Sequence, residues 1–194
     1  HAKDRRQRQM CIRDRITSMK KFKDSVDDFF KWVKGTELVE LDDIDVSEDP
    51  VRPELTLGFR ILHGRKIFGL KYNDEIEAIV CIALCPEVPF TVREMDYMSQ
   101  AANQDGQRGE IVVAYTVWSR KRGAGREIIQ KLREWTIEHN FKRLVTLSPL
   151  TPMATHFHVK NGAKQVHINE ETQNFEYELP VSYTHLRAHE TARH

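Results

Sequence analysis

Residues 110–126, EIVVAYTVWSRKRGAGR, decide the fold. Ile111–Trp118 is a near-continuous apolar run, the pattern of a strand buried on both faces at the centre of a sheet. A short basic loop with two glycines follows. From Gly125 to His139 the apolar residues Ile128, Ile129, Leu132 and Trp135 return at helical spacing, which predicts a helix with one apolar stripe. A chain that leaves a strand through a glycine turn and enters a helix presents backbone N–H groups outward, a geometry suited to a phosphate or pyrophosphate. Gly123 and Gly125 allow close approach of a ligand, and Arg120, Lys121, Arg122 and Arg126 add positive charge. The loop is not a Walker A sequence, which needs Lys-Ser/Thr, and it lacks the GxGxxG of dinucleotide folds. Taken alone, R-x-x-G-x-G also describes an ordinary glycine turn.

Working outward, Arg143–Ser148 (RLVTLS) reads as a short strand, parallel to the central one if the intervening helix is a right-handed crossover. Thr151 and Pro152 have the character of an N-cap and first-turn proline, so a helix is expected from there to about Lys160, before Asn161-Gly162. Two closing strands are expected at Ala163–Asn169 and Phe175–Leu179. On the other side, Leu55–Leu62, Lys66–Tyr72 and Glu75–Leu84 read as strands of an antiparallel meander, with Asn73-Asp74 as a hairpin turn. Arg93–Ala102 reads as a short helix and Asn103–Gly109 as a polar loop. Thr36–Pro53 is an acidic connector with at most a short strand near Leu38–Leu41. Ile16–Lys34 has Met19, Phe22, Val26, Phe29, Phe30 and Val33 at spacings of three and four, and predicts an amphipathic helix ended by Gly35.

The chain has 194 residues, 40% of them hydrophobic and 30% charged, as expected of one globular domain with a sizeable core. No stretch approaches the roughly 18 apolar residues of a membrane-spanning helix. Cys11, Cys81 and Cys85 form no CxxC, and the expected state is reduced thiols in a cytoplasmic protein. The two ends are set apart by their coding potential. Met10-Cys11-Ile12-Arg13-Asp14 can be encoded ATG TGT ATA AGA GAC, whose reverse complement encodes Val181-Ser182-Tyr183-Thr184-His185. The pair resembles a transposon-end adapter used in sequencing-library preparation, so residues 1–15 and 181–194 are read as non-native flanks and residues 16–180 as the domain. The flanks hold eight of the 30 Lys/Arg and three of the 29 Asp/Glu, leaving 22 basic and 26 acidic residues. The formal charge then moves from +1 to −4. A mildly acidic domain is not expected to bind nucleic acid generally.

The order helix, meander, strand, RxxGxG loop, helix, strand, helix, strand pair resembles the GNAT N-acetyltransferase superfamily over residues 16–180. The resemblance implies an α/β fold, a single domain with a central, mixed, twisted sheet of six to seven strands flanked by helices. It implies acetyl-CoA or another acyl-CoA as co-substrate, no metal, and an amine acceptor, small molecule or protein. It also implies that Arg120, Arg122, Gly123, Ala124, Gly125 and Arg126 cradle the pyrophosphate of coenzyme A. Val117, Trp118 and Ser119 would then run along the pantetheine arm.

Phe157-His158-Val159-Lys160-Asn161-Gly162-Ala163 stands where many acetyltransferases carry Leu-Tyr-x-Lys-x-Gly-Phe, with a tyrosine that protonates the departing thiolate. His158 occupies the tyrosine place, and an imidazole serves as an acid near neutral pH. Thr146-Leu147-Ser148-Pro149 together with Phe157-His158 also resembles the motif pair of malonyl-CoA decarboxylase, whose serine and histidine match Ser148 and His158. That likeness implies decarboxylation as the alternative reaction, and a non-catalytic CoA-binding module is the third. Glu110 lies near the family's usual general base, one residue out of register. Each residue also has a plainer role open to it: Ser148 as a hydrogen-bonding strand exit and His158 as a satisfied helix histidine. His156 points about 200° from His158 on the helix, so the two do not converge on a metal.

Overall fold

The computed structural model describes residues 35–179. The expected helix at 16–34 and both flanks, with Cys11, lie outside the described residues. Seven strands form one sheet in the order β1-β2-β3-β4-β5-β7-β6. They are β1 (Glu37–Leu41), β2 (Lys66–Tyr72), β3 (Glu75–Cys85), β4 (Ile111–Ser119), β5 (Arg143–Pro149), β6 (Ala163–Ile168) and β7 (Thr172–Tyr177). All neighbours are antiparallel except β4 and β5. The helices are α1 (Leu57–Ile61), α2 (Val92–Gln104), α3 (Ala124–Glu138) and α4 (Pro152–Lys160). The mixed α/β sheet expected from the sequence is therefore present.

Local chemistry accounts for most boundaries. Asn73 and Asp74 both take positive φ (48° and 65°), the conformation that a two-residue hairpin requires. Thr91 caps α2 by accepting from the Glu94 amide (3.1 Å), and Thr151 caps α4 by accepting from Ala154 (3.2 Å). The stretch Leu55–Leu62 differs from expectation: its centre is a helix, not a strand. Leu55, Leu57, Phe59 and Ile61 alternate as in a strand, but Thr56 accepts from the Phe59 amide (3.2 Å) and starts a turn. Arg60, which alternation would send to solvent, is instead fully buried and paired with Asp49. The last strand also begins earlier than expected, at Thr172. Its first residues, Thr172, Gln173 and Asn174, are polar yet buried, and apolar periodicity does not reveal such residues.

Two apolar layers sandwich the sheet. Ile128, Ile129 and Leu132 of α3 pack with Val112, Ala114, Leu144 and Phe175 on one face. Met95 of α2 packs with Ile111, Val113, Tyr115, Val145 and Leu147 on the other. Cys81 and Cys85 lie in the second layer, fully buried, and burial raises their thiols to about 11 and about 12. The alternation of β4 is interrupted once. Cys81 faces Thr116 and Ile82 faces Ala114, so Tyr115 is an extra residue, a bulge that turns Tyr115 and Thr116 toward the same layer. Among the described residues no helix is long and apolar enough to cross a membrane.

Candidate active site

The site begins where the central strands separate. β4 and β5 run in register from Ile111↔Arg143 to Ala114↔Thr146, and their pairing ends there. Beyond that pair the strands continue as Tyr115–Ser119 and Leu147–Pro149, and a cleft of about 280 Å³ occupies the space between them. Ala114, Val117, Trp118 and Ser119 line one side, Ser148, Pro149 and the α4 residues Ala154, Phe157 and His158 the other. Gly125 and Ile129 of α3 and Pro50-Val51 complete the wall. Of the residues the sequence singles out, Val117, Trp118, Ser119, Gly125, Ser148 and His158 therefore meet at one slot.

Gly123 caps α3 at φ 85°, a left-handed conformation that glycine adopts without strain. Its carbonyl accepts from Arg126 (3.1 Å) and Glu127 (3.2 Å), which starts the helix beside the slot. Ala124 is buried beneath that turn. The cations of the loop divide in two. Arg120 is committed to the Glu48 carboxylate (2.8 and 2.5 Å) and to Ile76 O (3.2 Å). Arg122 and Arg126 are exposed and form no ion pair among the described residues, which leaves them available to an anion at the α3 N-terminus.

Ser148 and His158 are brought into contact. Ser148 Oγ lies 2.9 Å from His158 Nε2, and Tyr177 Oη lies 2.9 Å from Nδ1. Ser148 donates onward to Thr146 Oγ1 (3.2 Å), which also accepts from the Phe175 amide (3.2 Å). Donor accounting then gives Nε2–H donating to Ser148 and Tyr177 O–H donating to Nδ1. The imidazole stacks on Phe175 (4.9 Å, 27°) and meets Phe157 edge-on. His158 sits in the last turn of α4, where the helix dipole favours a cation. Burial outweighs it and pulls the pKa down to about 4. That direction favours the neutral ring near neutral pH, with Nε2–H as its proton.

Glu110 is not at the slot. It precedes β4, four residues or roughly 13 Å below Ala114, and its exposed carboxylate pairs with Lys142. Among the described residues the slot lining contains no carboxylate. The sequence carried no sign of Tyr177 or Arg52, and it named Thr146 only as the first residue of the motif that holds Ser148. Tyr177 reaches the site only through the register of β7 on β5 (Leu144↔Tyr177), and long-range register leaves no local mark. His156 is exposed, as its helical angle implies.

This sheet, with parallel neighbours parting over a glycine-capped helix, defines the GNAT acyltransferase fold. Among solved structures it resembles an acetyltransferase from Bacillus subtilis in complex with CoA (TM-score 0.53, 9% identity, 75% of this chain and 99% of that one). It resembles a structure assigned to the GNAT acetyltransferases from Desulfovibrio desulfuricans to the same degree (TM-score 0.52, 9% identity, 75% and 99%). Malonyl-CoA decarboxylase from Cupriavidus metallidurans aligns at TM-score 0.41 and 19% identity, over 64% of this chain and 33% of that one, and weighs nothing in the choice of reaction. No protein-family model and no curated protein matches the sequence. At these identities the fold is what is shared.

Proposed function

We propose that the protein is an acyl-CoA-dependent N-acyltransferase. The observation that carries this reading is the parting of β4 and β5 after Ala114↔Thr146, which makes an apolar slot between a glycine-capped helix and the Ser148/His158 pair. The pyrophosphate would lie against the Gly123–Arg126 turn with Arg122 and Arg126, and the pantetheine arm along Val117–Ser119. The free backbone of the strand would meet the arm's amides. An amine attacks the thioester carbonyl, the C–S bond breaks, and Ser148 O–H, turning from Thr146, hydrogen-bonds the departing thiolate while His158 Nε2–H donates to Ser148 Oγ. The proton released by the attacking amine returns the thiolate to the thiol. Because the slot lining has no carboxylate among the described residues, that proton travels through water or Ser148, not through Glu110.

The contact between Ser148 and His158 favours a second reading on the same slot, decarboxylation of malonyl-CoA. There the C–C bond to the carboxylate breaks, carbon dioxide leaves, and the thioester enolate takes one proton from the Ser148/His158 pair, which solvent replaces. This reaction needs a proton donor but no base. A comparison of acetyl-CoA and malonyl-CoA turnover separates the two. Thiol release that requires an added amine supports transfer. Labelled carbon dioxide release, lost in S148A and H158A, supports decarboxylation. CoA binding without either turnover leaves a binding module.

A further inference from the structure

Where β4 and β5 part, each strand leaves a backbone carbonyl without its ladder partner, and one side chain takes both. Arg52 Nε donates to Tyr115 O (3.0 Å) and its Nη2 donates to Leu147 O (3.1 Å). Tyr115 and Leu147 are the first residues past the last pair, Ala114↔Thr146. The guanidinium therefore sits in the fork itself. A rigid planar fork of donors spanning two carbonyls fixes their separation, which a flexible ammonium or an apolar side chain does not.

The support behind it is built to hold this position. Asp49 Oδ1 accepts from the amides of Val51 (2.8 Å) and Arg52 (3.2 Å), and Asp49 Oδ2 pairs with Arg60 (2.9 Å). Arg60 in turn donates to Arg52 O (2.8 Å), and Thr116 Oγ1 donates to Asp49. Asp49, Arg52 and Arg60 are 1%, 8% and 0% exposed. The Arg52 guanidinium makes no hydrogen bond or ion pair to a carboxylate among the described residues, so ion pairing does not account for burying it. Its neighbours Pro50 and Val51 line the slot with Tyr115, Thr116 and Ser148, and its own hydrogen bonds to Tyr115 O and Leu147 O set the guanidinium behind that wall, at the fork.

We propose that Arg52 is a specificity-determining residue that closes the slot at the fork of β4 and β5 and limits the acyl group of the bound thioester to short chains of about acetyl size. The inference rests on the slot taking a CoA thioester. With the pantetheine arm between the strands, the acyl group points into the fork, and a longer chain meets the guanidinium and its bonded carbonyls.

The test is calorimetric titration of the full chain with CoA, acetyl-CoA, butyryl-CoA and hexanoyl-CoA. Wild type is expected to bind CoA and acetyl-CoA and to lose affinity as the acyl chain lengthens. In R52A the ratio of hexanoyl-CoA to acetyl-CoA affinity rises by roughly tenfold or more, because added methylenes enter the vacated space, while CoA itself changes by less than about threefold. A general structural defect would weaken all four ligands together and leave the ratio unchanged. R52L, which removes the guanidinium but keeps an apolar side chain, gives the same shift and decides the matter if R52A lacks a cooperative thermal transition. Folded variants with the wild-type ratio overturn the proposal, as does a wild type indifferent to chain length. A wild type that does not bind CoA at all overturns instead the thioester reading on which it rests.

Discussion

Ser148 Oγ and His158 Nε2 are 2.9 Å apart on the wall of the slot, and the same imidazole meets Tyr177 Oη through Nδ1. Burial holds its pKa at about 4, against about 6.5 in an unfolded chain. Between those values the unfolded chain binds a proton that the folded chain refuses. The contribution of His158 is therefore full above about pH 6.5 and is lost as the pH falls toward 4, by on the order of 3 kcal/mol. Urea unfolding at about pH 7 and about pH 4.5 should show this loss in wild type and a shallower one in H158Q, which does not titrate. Equal losses in the two proteins would show that His158 is not the group responsible.

Removing Ser148 tests the other half of the contact. S148A leaves the Nε2–H of His158 and the Thr146 hydroxyl without their partner, a cost of about 1–2 kcal/mol in a site this buried. Turnover of the productive thioester should fall by at least roughly tenfold beyond what the stability loss explains. Ligand affinity should change little, since Ser148 is not asked to hold the coenzyme. A variant that loses affinity in proportion to turnover would assign Ser148 to binding.

Glu110 is expected to be dispensable. Its carboxylate is exposed, pairs with Lys142 and lies outside the slot lining, and an exposed pair of this kind contributes about 0–1 kcal/mol. E110Q should keep wild-type turnover and unfold within about 0.5 kcal/mol of wild type. A large drop in activity with unchanged affinity would restore it as a base.

What the sequence revealed and what it concealed follow the range of the interactions. β4, α3 and the capped start of α4 were legible because Ile111–Trp118, the Ile128–Trp135 stripe and Thr151-Pro152 act within a few residues of themselves. Residues 57–61 were misread because alternating apolar residues suit a strand and an amphipathic turn alike, and the deciding partner of Arg60 is Asp49, in a separate turn. Ser148 and His158 could be named, but their contact depends on how α4 lies over β5. The burial that lowers the pKa of His158 comes in part from Phe175 and Tyr177, supplied by β7. Arg52 gave no signal at all, since a buried arginine beside Pro53 reads as one more solvated charge.

The two glycines of the loop should fail in different ways. Gly123 holds φ 85° with open space around a would-be Cβ, so G123A is penalised through the backbone, by about 1–2 kcal/mol. A Cβ at Gly125 would meet Phe157 and Ser119 Oγ at 3.5 Å, an ordinary contact. Atoms beyond the Cβ of G125L would therefore fill the slot without forcing the backbone. CoA titration with parallel thermal melts should find G125L near wild-type stability but without binding, and G123A less stable but still binding. Undiminished affinity in folded G125L would move the ligand elsewhere.

The Asp49–Arg60 pair makes the strongest stability prediction. Both side chains are fully buried at 2.9 Å, and Asp49 also accepts from Val51, Arg52 and Thr116. D49A would leave the Arg60 guanidinium buried with only carbonyls and the Cys81 thiol for partners, together with two amides and a hydroxyl released at once. Breaking one side of a buried ion pair costs about 3–5 kcal/mol. D49N, which keeps an acceptor but not the charge, should recover part of that loss. The turn that holds Arg52 loosens with it, so the variant should also relax the acyl-chain limit in the same direction as R52A. Denaturant unfolding gives the first quantity and the hexanoyl-CoA to acetyl-CoA affinity ratio the second. A D49A protein that loses stability but keeps the wild-type ratio would separate the buried pair from the closure of the slot.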